Sequence, residues 1–140
     1  MNQHEIRENI EKVLHESQIG TMATVKNNKP YSRYMTFMHD DLTLYTVTSK
    51  ETDKAEELEK NPYTHILLGY EGEGVGDDYI EYQGKVSINN SQDMKNKLWN
   101  DSMNHWFEGP EDPNYVVLEV EPMEIQLMNK KDFTPKELEI

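Results

Sequence analysis

Arginine is scarce in this chain: only Arg7 and Arg33 occur, and their settings differ. Arg7 falls on the polar face of an N-terminal helical stripe. Arg33 sits mid-strand, on the face shared by Tyr31, Met35 and Phe37. A guanidinium on a buried strand face is costly without an anion. Its planar fork suits a phosphate or a carboxylate. The competing reading is a solvent-facing or salt-bridged arginine on a barrel exterior. One hairpin further on, Thr46, Thr48, Ser49 and Thr52 form a cluster of hydroxyls, and Lys54 follows in the first turn of the next helix. Hydroxyls, N–H groups at a helix start and a lysine make a phosphate cradle without a glycine loop. The same threonines are also ordinary strand and cap residues. Together with Arg33 they define a candidate anion site.

Other motifs carry less chemistry. Gly72-Glu73-Gly74-Val75-Gly76 has the glycines of a phosphate loop, but Glu71, Glu73, Asp77 and Asp78 would repel a phosphate, so it reads as a hairpin loop. His39-Asp40-Asp41 lacks a second ligand at metal spacing and reads as a turn; no metal site is expected. No nucleophile elbow supports a catalytic serine. Trp99 and Trp106, seven apart, would share a face if one helix ran through both. They read as packing or as an aromatic wall against a planar ligand.

The elements that must position these residues follow from periodicity. Ile6, Ile10, Val13 and Leu14 mark one stripe of a helix. Ile19–Val25, Tyr31–Met38 and Leu42–Thr48 read as a three-strand antiparallel meander. Thr52 caps a short helix that Asn61-Pro62 stops. Strands at Thr64–Tyr70 and Tyr79–Ile88 precede a helix capped by Ser91, and a last strand runs Tyr115–Val120, resuming at Met123–Met128. About six strands with peripheral helices, and no alternating βαβ pattern, predict a mainly β, antiparallel barrel. One domain over residues 1–128 is expected, with a loose tail over 129–140.

Composition narrows the partners. Fourteen Lys and Arg against twenty-seven Asp and Glu leave a formal charge of −13 on 140 residues. That disfavours nucleic acid, since counterion release needs clustered cations. No cysteine is present, which excludes disulfides, thiolate catalysis and zinc ribbons. No apolar run is long enough to span a bilayer, and Met1–Glu5 lack the character of a signal peptide. The expectation is a soluble, cytoplasmic protein whose small core is completed by dimerising.

The order of motifs is itself informative. Ile19-Gly20-Thr21-Met22-Ala23-Thr24-Val25 leads to Lys29-Pro30-Tyr31-Ser32-Arg33-Tyr34-Met35, then to Leu44-Tyr45-Thr46-Val47-Thr48, Lys54 and Asn61-Pro62. Trp106-Phe107, Gly109, Asp112-Pro113 and Val116-Val117-Leu118 complete the series. This resembles the pyridoxamine 5′-phosphate oxidase-like flavoproteins, and among them the general stress protein 26 group. The resemblance implies a split β-barrel homodimer binding FMN in two clefts at the subunit interface. Arg33 and Lys54 would meet the FMN phosphate, aided by Thr48, Ser49 and Thr52. Backbone around Tyr34, Met35 and Thr36 would line the isoalloxazine, Tyr45 and Thr46 would hold its edge, and Trp106 would close the site from the partner. Asp53 departs from the pattern, standing where many relatives carry arginine. The arginine-rich C-terminal motif of the true oxidases is missing, so pyridoxamine phosphate oxidation is not expected. The activity implied is a flavin-dependent oxidoreductase of unknown substrate; the alternative is flavin storage or stress sensing without turnover. An acidic interaction protein with a purely structural barrel is the third reading.

Overall fold

The computed structural model describes residues 1–52, 54–70, 77–129, 131 and 134–140, and of residues 54–56 the backbone alone. The glycine-rich segment at 72–76, Asp53 and the side chain of Lys54 therefore lie outside the described residues. Helix α1 (Gln3–Glu16) buries the stripe that the spacing predicts, Ile6, Ile10, Val13 and Leu14, and the Asn2 side chain caps it by accepting from the Glu5 N–H at 2.9 Å. Strands β1 (Ile19–Lys26) and β2 (Lys29–Asp40) are joined by Asn27 and Asn28 at φ 51° and 62°. That left-handed pair is what a two-residue type I′ hairpin requires, and asparagine tolerates it. Asp41, at φ 52°, turns the chain into β3 (Thr43–Ser49), as expected for His39-Asp40-Asp41. Arg7 Nη2 stands 2.7 Å from Asp41 Oδ1 and ties α1 to that turn.

Helix α2 (Lys54–Lys60), β4 (Tyr63–Leu68), β5 (Asp78–Asn89) and α3 (Gln92–Leu98) follow, then a 3₁₀-helix (Asp101–His105), β6 (Tyr115–Asn129) and β7 (Lys136–Leu138). The strands form one antiparallel sheet in the order β3-β2-β1-β4-β5-β6-β7, and β3 also pairs with β6. That last pairing closes six strands into a barrel and leaves β7 outside the ring. The expected fold class, an antiparallel split barrel with peripheral helices, is the observed one.

Two differences from the sequence reading have clear causes. β6 is one continuous strand, because Pro122 falls where the register with β5 shifts at Gln83/Gly84 and no ladder N–H is demanded of it. Gly84 permits the bend: a Cβ there would stand 2.5 Å from Val120 Cγ1 and 2.9 Å from the Glu121 carbonyl. The chain beyond Asn129, read as a loose tail, returns as β7 against Ile125–Leu127 of β6. Leu138 is buried in the main core, and the Gln3 side chain grips the returning backbone at Glu137 O (3.0 Å) and Glu139 N (2.8 Å). One buried leucine and an amide clamp anchor a segment whose composition alone reads as polar.

The barrel interior is apolar around Tyr82, a fully buried ring whose hydroxyl donates to the Leu42 carbonyl at 2.6 Å and lies 3.1 Å from that of Val120. Burial pushes its ionisation far up. Tyr82→Phe leaves those carbonyls without their donor, and urea unfolding should show a loss of about 1–3 kcal/mol. Because the unfolded chain ionises near pH 10 while the folded hydroxyl holds its proton, this tyrosine's contribution is complete below that pH and falls as pH rises above it. The alkaline slope of stability should therefore be shallower in Tyr82→Phe than in the parent chain.

Candidate functional site

The cleft arises where β2 and β3 part. They pair only from Phe37↔Thr46 to Asp40↔Thr43, while β2 stays with β1 down to the Lys26↔Lys29 pair and β3 stays with β6 up to Ser49↔Tyr115. Along the fork, β2 and β3 each turn one ladder edge toward the gap rather than toward each other. At its apex Thr46 Oγ1 donates to the Thr36 carbonyl at 2.8 Å, so a side chain takes over where the ladder stops.

A cavity of about 440 Å³ opens there. Tyr34, Met35 and Thr36 line one prong, and Thr46, Val47, Thr48, Ser49 and Thr52 the other. The far wall is the 3₁₀ segment, with Asn100, Ser102, Met103, Trp106 and Phe107. The sequence reading did not single out Asn100, Ser102 or Met103, and it marked Phe107 only through the Trp106-Phe107 pair. Only the turn after α3 brings them opposite β2, and no motif marks the approach of Asn100, Ser102 and Met103. A depression of about 350 Å³ between the β1–β2 turn and the end of α2 is lined by Lys26, Glu57 and Lys60 among others, and has no aromatic wall for a planar ligand.

The hydroxyls form a chain. Thr52 Oγ1 donates to the Ser49 carbonyl at 2.8 Å, which spends its one proton, so Thr48 Oγ1 donates across the 3.1 Å to Thr52. Arg33 is not a lining residue. It pairs with Met22, a core residue, and so faces the barrel interior, the side that Thr46 and Thr48 also face through the Phe37 register. Its Nη1 donates to Thr24 Oγ1 at 3.0 Å, and no carboxylate pairs with it among the described residues. Lys54 opens α2, directly after this hydroxyl turn.

Two aromatic residues stand elsewhere than expected. Tyr45 points away from the cleft: its ring is buried with Met103, Phe107, Tyr115 and Val117, and burial followed by the nearby Glu119 carboxylate raises its ionisation. β3 alternates, so when Thr46 faces the barrel, Tyr45 must face the 3₁₀ wall. Tyr45 thus braces that wall. The two tryptophans do not share a helix, since α3 ends at Leu98. Trp99 leans on Tyr115 with centroids 5.7 Å apart, whereas Trp106 lies on the rim of its own chain's cleft, 73% exposed.

With this geometry the comparisons with known proteins agree. The sequence profile described as pyridoxamine 5′-phosphate oxidase matches residues 6–129. The chain belongs to the pyridoxamine 5′-phosphate oxidase family. General stress protein 26 of Bacillus subtilis (strain 168) is 54% identical over 140 residues, covering 100% of both chains. The crystal structure of the general stress protein 26 of Bacillus anthracis str. Sterne superposes with a TM-score of 0.85 at 36% identity, covering 97% of this chain and 99% of that one. A Mesorhizobium loti structure described as an FAD-binding protein shares the fold at TM-score 0.66 and 18% identity, over 82% of this chain and 86% of that one. Among the described residues, no helix is long and apolar enough to cross a membrane.

Within this family member the apex bond is a local test of the fork. Thr46→Val keeps the volume and removes the donor to Thr36, so thermal unfolding should report a loss of about 1 kcal/mol. Amide exchange should quicken at the apex of the fork more than in β5.

Proposed function

We propose that this chain is a cytoplasmic, homodimeric FMN-binding protein that acts as a flavin-dependent oxidoreductase. The observation that carries the reading is the fork: a cavity with two open ladder edges, a hydroxyl row on one prong and Arg33 without a carboxylate partner on the same interior face. The residues fit the group. The FMN phosphate would take Arg33 and Lys54 as counter-charges, and its oxygens would replace Thr52 as acceptor of the Thr48 proton, with Ser49 alongside. The open edges around Tyr34, Met35 and Thr36 would offer N–H and C=O groups to a planar ring system, and Met103 and Phe107 an apolar bed. The flavin, when bound, supplies the electron and proton transfer. The chain's own part is to hold the phosphate, orient the ring and keep water from one face.

A second copy of the chain has a place to sit. On the outward face of β1 and β2, Ile19 and Tyr34 are 67% and 80% exposed; Thr21 pairs with Tyr34, and the small Ala23 and Ser32 form the next pair on that face. Such an exposed face beside the cleft supports dimerisation that completes the site. Non-catalytic flavin storage remains the second reading. It is favoured by the cleft's lining, which among the described residues holds no Asp, Glu, His, Lys or Arg to relay a proton.

Quenching of flavin fluorescence should saturate at about one FMN per chain. Arg33→Ala should weaken binding by about one to two orders of magnitude, the range of a charge-assisted hydrogen bond; unchanged affinity would remove the phosphate assignment. Repeated turnover between NAD(P)H and an electron acceptor would exclude storage. Ile19→Glu should shift the protein from dimer to monomer in sedimentation velocity, and a parent chain that sediments as a monomer would sink the dimer reading.

A further inference from the structure

Resting on the flavin reading, we propose that Glu57 is a positioning residue for the phosphate anchor. Through its ion pair with Lys26 it fixes where α2 lies, and with it where Lys54 meets the phosphate. Lys54 opens α2, and Glu57 follows three residues later, about 4.5 Å further along the helix axis. A contact that holds the Glu57 turn therefore sets the start of the helix.

Packing secures that turn at few points. Among the described side chains of α2, Leu58 is buried in the main core, whereas Glu59 and Lys60 are exposed. Between the second half of α2 and the β1–β2 turn lies the depression of about 350 Å³, with Lys26, Asn28, Glu57 and Lys60 in its lining. There Lys26 Nζ stands 3.6 Å from Glu57 Oε1, so the pair links hairpin and helix beside a gap rather than within a packed interface.

Strand β1 is the common support. Met22 and Thr24 are buried on its inner face, and Lys26 continues that alternation. Thr24 accepts from Arg33 Nη1 at 3.0 Å, and two residues on Lys26 pairs with Glu57. One strand face thus holds Arg33 directly and reaches the Lys54 helix through an ion pair.

The burial of Glu57 has a cost. Its side chain is 12% exposed, and Oε2 is buried with no hydrogen-bond partner among the described residues. A buried carboxylate oxygen without a donor is unfavourable. Stability alone does not call for a carboxylate here; the arrangement uses its charge to face Lys26. That charge also lies one helical turn from the residue assigned to a phosphate, which by Coulomb repulsion alone it would disfavour. The two roles predict opposite signs when the charge is removed.

Glu57→Gln keeps the size and removes the charge. As a lost brace it should weaken FMN binding about three- to fivefold in fluorescence titration, whereas loss of repulsion alone would tighten it. In a Lys54→Met background the same substitution should leave FMN affinity unchanged or tighter, because no ammonium remains to be placed. Unchanged or tighter binding in the parent chain, or an equal loss in both backgrounds, would overturn the proposal. In the flavin-free chain, Glu57→Gln should quicken amide exchange in α2 relative to β5, and unchanged exchange would overturn it as well. The parent and Arg33→Ala, titrated alongside, separate the two readings. A parent that does not bind FMN removes the flavin reading, and the exchange result still decides whether Glu57 holds α2. FMN that binds the parent and is lost in Arg33→Ala, with no weakening in Glu57→Gln, removes this inference alone.

Discussion

Strand β3 has two neighbours and cannot serve both along its whole length. Its six-residue ladder with β6, Leu44 to Ser49, closes the barrel, and that closure carries β3 away from β2 after Thr46. The fork is thus the geometric consequence of closing a twisted sheet, and it turns main-chain groups toward a gap instead of a partner strand. Main-chain donors and acceptors left this way need water, side chains or a ligand. Thr46 meets the need at the apex, and Tyr82 meets the equivalent need inside the ring by bonding Leu42 next to the start of β3. The cavity and the core that surrounds it therefore depend on the same strand.

Placing Arg33 on the interior-facing side of β2 has an electrostatic cost that its single hydroxyl partner, Thr24, only partly offsets. A phosphate dianion between the prongs would convert that cost into binding. The hydroxyl chain from Thr48 through Thr52 to Ser49 is satisfied internally, so it can stand without a ligand and redirect one proton toward an anion. The far wall is built differently. Tyr45, Phe107 and Tyr115 pack together, with Phe107 and Tyr115 stacked at 5.3 Å, and this second apolar cluster includes Met103 of the 3₁₀ segment.

Membership in the pyridoxamine 5′-phosphate oxidase family describes the scaffold, and a scaffold hosts more than one chemistry. One feature expected from the resemblance to be missing is the arginine-rich C-terminal motif. The C-terminal segment offers no arginine: it ends in β7, with Leu138 committed to the core and Gln3 holding the backbone.

Much of this was legible in the chain of letters. Periodicity alone marks the helix from Ile6 to Leu14, Asn27-Asn28 marks the hairpin, and strands of alternating burial without βαβ spacing mark an antiparallel barrel. The scarcity of arginine points to Arg33, and the hydroxyl run points to the prong that faces it. These are local properties, governed by backbone preferences and the two-residue period of a strand. What only the folded chain decides is long-range. The side of β3 that Tyr45 takes depends on which face the closed ring turns inward. The approach of Asn100–Phe107 to β2 depends on where α3 stops. The ordering of the last five residues rests on one leucine reaching a core assembled from strands far away in sequence. Register and closure are set by the sum of many distant contacts, and no single stretch of sequence contains that sum.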